Sequence, residues 1–80
     1  GMKHHVCIFD DYIVFDGETI PIGKILIEEE ITKALSDVLD NIVHKIGSGD
    51  VVVCGEGDAR RMVGRKLEDR LGREVVYGYE

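Results

Sequence analysis

Residues 51–54 read Val-Val-Val-Cys, an unbroken apolar run between Ser48-Gly49-Asp50 and Gly55-Glu56-Gly57. A run with no polar alternation is expected of a strand covered on both faces. After the second glycine, Ala59, Met62, Val63, Leu67 and Leu71 recur at helical spacing, and Gly72 closes the segment. Asp58 is placed to act as N-cap of this helix, which runs to Leu71. Glu74 to Tyr77 then reads as a last strand. Strand, helix and strand in this order form a βαβ unit, whose crossover is right-handed. Since 80 residues allow one domain, the rest of the chain has to pack onto that unit.

The amino-terminal part supplies partners for it. His4 to Phe9 and Tyr12 to Phe15 read as two strands joined by a tight turn at Asp10-Asp11. Asp16-Gly17 is a strong hairpin signal, because such a turn needs positive φ and glycine accepts it freely. Glu18 to Ile22 is the third strand; Pro21 cannot donate to a ladder, so this strand belongs at an edge or ends early. Lys24 to Ile27 extends it past a bend at Gly23. Ile27, Ile31, Ala34, Leu35, Val38, Leu39, Ile42, Val43 and Ile46 give an amphipathic helix, with Glu28, Glu29 and Glu30 in its first turn, where the macrodipole favours anions. Gly47 stops it, and Lys33, Asp37, Asp40 and Asn41 form its solvated face. The expected fold is therefore α/β (α+β): a three-stranded antiparallel meander, then helix-strand-helix-strand, in one mixed five-stranded sheet. Helices cover one or both faces.

Charge narrows the function. The net of -6 speaks against non-specific nucleic-acid binding, which needs a cationic footprint. No apolar run is long enough to span a bilayer, and no secretory leader is expected. Gly1-Met2 reads as a tag remnant before the natural initiator, so the domain is taken as residues 2–80. Two cysteines without a leader, Cys7 and Cys54, are expected to be reduced, buried thiols in a cytoplasm. The absence of Gln, with Asn41 the only Asn, points to a thermophile. Arg60, Arg61, Arg65, Lys66, Arg70 and Arg73 all lie on or just after the second helix. They read as a solvated face ion-paired to Glu68 and Asp69, or else as a cationic face for an acidic partner.

The main candidate site is the loop Cys54-Gly55-Glu56-Gly57-Asp58, with Arg60 beyond it. A glycine-rich turn feeding a helix leaves amides free for a small anionic ligand. His4, His5 and Cys7 are close in sequence, and Cys54 joins them if the first and fourth strands are neighbours. Strand alternation nonetheless puts His4 on the other face from His5 and Cys7, so no metal and no cofactor is expected. His4 and His5 read as exposed terminal residues, and His44 as bordering the first helix's apolar stripe.

Three family resemblances attach to these residues. The stretch from Val51 onward resembles the dinucleotide-binding fingerprint of Rossmann proteins. Gly55 and Gly57 stand at the first two glycines, and Gly64, Leu67, Gly72, Val75 and Val76 fall near the small and apolar positions; Arg60 replaces the third glycine. The same loop resembles that of phosphotransferase-system IIB domains, which implies Cys54 as a phosphoryl-accepting nucleophile activated by the helix N-terminus. The element order is similar to the core of the ribonuclease H-like fold. That likeness implies a Mg²⁺-dependent nuclease with carboxylates from Asp10 or Asp11 and from Glu56 or Asp58. Against these enzymes stands the leading expectation, a small cytoplasmic assembly or ligand-binding module. A small core, open sheet edges and split charge favour a homo-oligomer.

Overall fold

A computed structural model describes residues 3–22 and 33–78. Five strands form one sheet: β1 (Lys3–Ile8), β2 (Tyr12–Phe15), β3 (Glu18–Pro21), β4 (Asp50–Gly55) and β5 (Val76–Tyr77). Two helices, α1 (Lys33–Ile46) and α2 (Gly57–Leu71), complete the element order β1-β2-β3-α1-β4-α2-β5. This is the mixed α+β architecture expected from the sequence. The sheet order is β3-β2-β1-β4-β5, with antiparallel β1–β2 and β2–β3 pairs and parallel β1–β4 and β4–β5 pairs. The expected extension at Lys24–Ile27, the helical start at Ile27 and the acidic turn at Glu28–Glu30 lie outside the described residues.

Local chemistry accounts for the meander. Asp16 and Gly17 both take positive φ, at 50° and 89°, as a primed hairpin turn requires. Phe9 N donates to Tyr12 O at 3.0 Å, which closes the Asp10-Asp11 turn. Pro21 ends β3, and β3 is an edge strand, so its missing N–H breaks no ladder.

The core lies on one side of this sheet. Val6, Ile8, Ile13, Phe15, Val51 and Val53 point into a cluster with Leu35, Leu39, Ile42 and Ile46 of α1 and Ala59, Val63 and Leu67 of α2. Both helices therefore cover the same face, and Arg70 joins them. Its Nε donates to Asp40 Oδ1 at 2.8 Å and its Nη2 to Ser36 Oγ at 2.8 Å. Among the described residues the helices cover one face of β4, where the apolar run led to the expectation of cover on both. Val52 is half-buried and points, with Cys54, to the face that carries no helix among the described residues.

Two further expectations change. Glu56, with extended backbone, is the N-cap of α2 and makes no side-chain capping bond, whereas Asp58 lies inside the first turn and accepts from Arg61 Nη1 at 3.1 Å. Gly57 adopts φ 56°, and that bend starts the helix two residues earlier than a cap at Asp58 allows. The expected pairing of the basic residues with Glu68 and Asp69 is also replaced: Glu68 Oε2 accepts from Val75 N at 3.1 Å, and Arg73 Nη2 donates to the carbonyls of Gly47 and Gly49.

Candidate functional site

Parallel pairing of β1 with β4 sets the geometry of the sheet's carboxyl edge. Ile8 lies opposite Gly55, so the Phe9–Asp11 turn and the Glu56–Asp58 segment leave the sheet at the same end. Gly55 has φ 125°, and its chain runs so close to β1 that Glu56 N donates to Ile8 O at 3.1 Å. Asp10, Asp11, Glu56 and Asp58 are all exposed. Among the described residues, no three or more His, Cys, Asp or Glu side chains converge as a metal ion needs.

The structure divides the six loop residues. Gly55, Glu56, Gly57 and Asp58 form the bend before α2. Arg60 turns away from it: its guanidinium stands over the Tyr77 ring, 5.9 Å from the centroid, and Nη1 donates to Gly78 O at 3.5 Å. Cys54 leaves in another direction. Val53, its neighbour, enters the helix-covered core, so Cys54 points to the opposite face, away from the amino end of α2.

On that face Cys54 meets Cys7. The two are direct partners in the β1–β4 register, with Cα atoms 4.4 Å apart, and their sulfurs form a disulfide. Free, reduced thiols are therefore not the state in the structure. The sequence offered no reason to join residues 47 positions apart until β1 and β4 were neighbours. Cys54 is 6% exposed and Cys7 half-buried, so Cys7 is the more exposed residue of the pair. A phosphoryl-accepting Cys54 would have to be reduced first, and would act on the face opposite α2.

Around the disulfide lies a mostly apolar surface. Alternation places Val14 beside Cys7, Val76 beside Val52, and Tyr12 beside Pro21. The Phe9 and Tyr12 rings stack with centroids 4.8 Å apart at the carboxyl end. Lys3 and Asp50, register partners at the other end, are its basic and acidic members, with the exposed His5 beyond them.

Two clusters escaped sequence reading. His4 is half-buried, stacked on Phe15 with centroids 5.8 Å apart, and its Nδ1 donates to Asp16 Oδ2 at 2.7 Å. Asp16 Oδ1 also accepts from His5 N at 2.8 Å; this backbone bond, followed by the bond from His4, holds the Asp16 carboxyl below its ordinary pKa. The signal was available in strand alternation, which puts His4 on the face of Val6 and Ile8. The second cluster is Tyr77, whose ring lies on buried Gly64. Burial, and then the nearby Glu68 carboxylate, raise its hydroxyl above the ordinary pKa. Comparison of the chain with family models, curated proteins and solved structures gives no match.

Proposed function

We propose that the chain is an assembly module that pairs with a second copy of itself through the helix-free face of its sheet. The carrying observation is the placement of both helices on one face, which leaves Val14, Val52, Val76, Phe9 and Tyr12 without a helix over them among the described residues. An apolar patch of this kind marks an interaction surface. A second copy fits it for two reasons. The chain as a whole carries -6, yet among the described residues this face holds one lysine and one aspartate, so two copies meet there without the repulsion their other surfaces impose. A twofold axis running along the strands between β1 and β4 also stacks β1 on the partner's β4. That operation brings Lys3 of each copy to Asp50 of the other, the self-complementarity an isologous interface needs.

The face is small. Five strands at about 4.8 Å spacing, up to six residues long at about 3.3 Å each, give roughly 400 Å² in projection. That area supports a weak, reversible dimer. Sedimentation velocity at micromolar concentration is the test. A concentration-dependent dimer is expected, and Val14→Lys or Val52→Lys is expected to weaken it at least about tenfold while the circular dichroism is kept. A folded monomer throughout that range overturns the proposal.

A second reading, the ribonuclease H-like nuclease, is favoured by one observation: β1 and β4 are parallel neighbours, so Asp10, Asp11, Glu56 and Asp58 leave the sheet at one end. It requires Mg²⁺-dependent cleavage of nucleic acid that Asp10→Asn and Glu56→Gln abolish.

A further inference from the structure

We infer that Cys7 and Cys54 form a thiol–disulfide exchange site, in which Cys7 is the attacking and attacked sulfur and Cys54 the resolving thiol. Three observations carry this. The residues are register partners on parallel strands with Cα atoms 4.4 Å apart, so the backbone holds the sulfurs together in either redox state. Both side chains lie on the helix-free face, so no helix among the described residues has to move for a reagent to approach. Access is unequal, with Cys7 half-buried and Cys54 6% exposed.

The chemistry follows from that inequality. The reagent class is a low-molecular-weight disulfide. In the reduced protein the Cys7 thiolate attacks one sulfur of the reagent, forming a mixed disulfide and releasing one thiolate. Cys54 then loses its proton and attacks the Cys7 sulfur, which forms the internal bond and expels the second thiolate. One reagent disulfide is reduced to two thiols, and two protein thiols are oxidised to one disulfide. Cys54, 6% exposed and with its Sγ packed 3.8 Å from Val6 O, is shielded until that second step. This geometry keeps Cys54 slow toward external reagents and reserves it for the neighbouring sulfur.

The inference does not require the dimer, although a dimer built on this face shields Cys7 while it persists. The experiment treats the fully reduced protein with oxidised glutathione and follows acid-quenched samples by mass spectrometry with peptide mapping. Wild type is expected to pass through a single glutathione adduct on Cys7 and to end as the internal disulfide. Cys54→Ser should stop at that adduct, and Cys54 in Cys7→Ser should react at least about tenfold more slowly than Cys7 does in Cys54→Ser. Stable adducts on both cysteines of the wild type, or equal rates in the two variants, overturn the inference. The wild-type measurement stands even if a variant fails to fold. A Cys7 rate that does not change with protein concentration, with the same site preference, supports the exchange site and overturns the dimer alone.

Discussion

Gly55 is the position where the backbone leaves no room for a side chain. A Cβ there would stand 2.0 Å from the Ile8 carbonyl oxygen and 2.6 Å from its nitrogen, at a φ of 125°. Gly55→Ala is therefore expected to cost about 3 kcal/mol or more in urea denaturation, because a β1 backbone cannot step aside as a side-chain tip can. Gly57→Ala, also at positive φ but with nothing within 4 Å, should cost about 1 kcal/mol. The two glycines look equivalent in the sequence, where both read as turn residues; only the nearness of Ile8 separates them. Asp16 is the residue whose titration matters. Its folded pKa lies below its unfolded one, so its stabilising contribution is present above about pH 4 and is lost as pH falls through the folded value. Unfolding midpoints measured from pH 6 down to pH 2 should fall less steeply in Asp16→Asn than in wild type.

At the scale of elements, β5 depends on α2 more than on its own two residues. The Tyr77 ring lies on Gly64, Arg60 donates to Gly78 O, and Glu68 accepts from Val75 N. A Cβ on Gly64 would lie 2.5 Å from the Tyr77 hydroxyl oxygen, and that ring has room to swing outward because Tyr77 is 40% exposed. Gly64→Ala should therefore leave the protein folded but loosen β5. The measurement is hydrogen exchange at the Gly78 amide, which donates to Val53 O at 2.9 Å; unchanged protection would exclude this coupling. The sequence made the elements legible because their signals are local: β-branched and aromatic runs around a turn pair for β2 and β3, period 3.6 and a closing glycine for α1 and α2. It did not reveal that both helices share a face. The valine run of β4 reads the same whether a helix or a bare surface lies beyond Val52 and Cys54.

For the whole molecule the decisive contact is the least local one. Cys7 and Cys54 are 47 residues apart, and their bond ties the meander to the βαβ unit. Neither cysteine's neighbours in the chain announce this, which is why the loop 54–60 looked like the site while the partner of Cys54 stood at the opposite end of the sequence. In the chain-entropy account, closing a loop of that length stabilises the fold by about 4 kcal/mol. Reduction without denaturant is accordingly expected to lower the urea midpoint, and reoxidation to restore it; a midpoint that ignores redox state would show that the bond constrains nothing the β1–β4 ladder does not already hold.

The parallel β1–β4 pair also decides what a severed chain would be. Because the link spans everything from Cys7 to Cys54, a protease cut in the turn after α1, at Gly47 to Gly49, leaves both fragments as one covalent body. Continuity of the peptide is then no longer what makes this a single molecule.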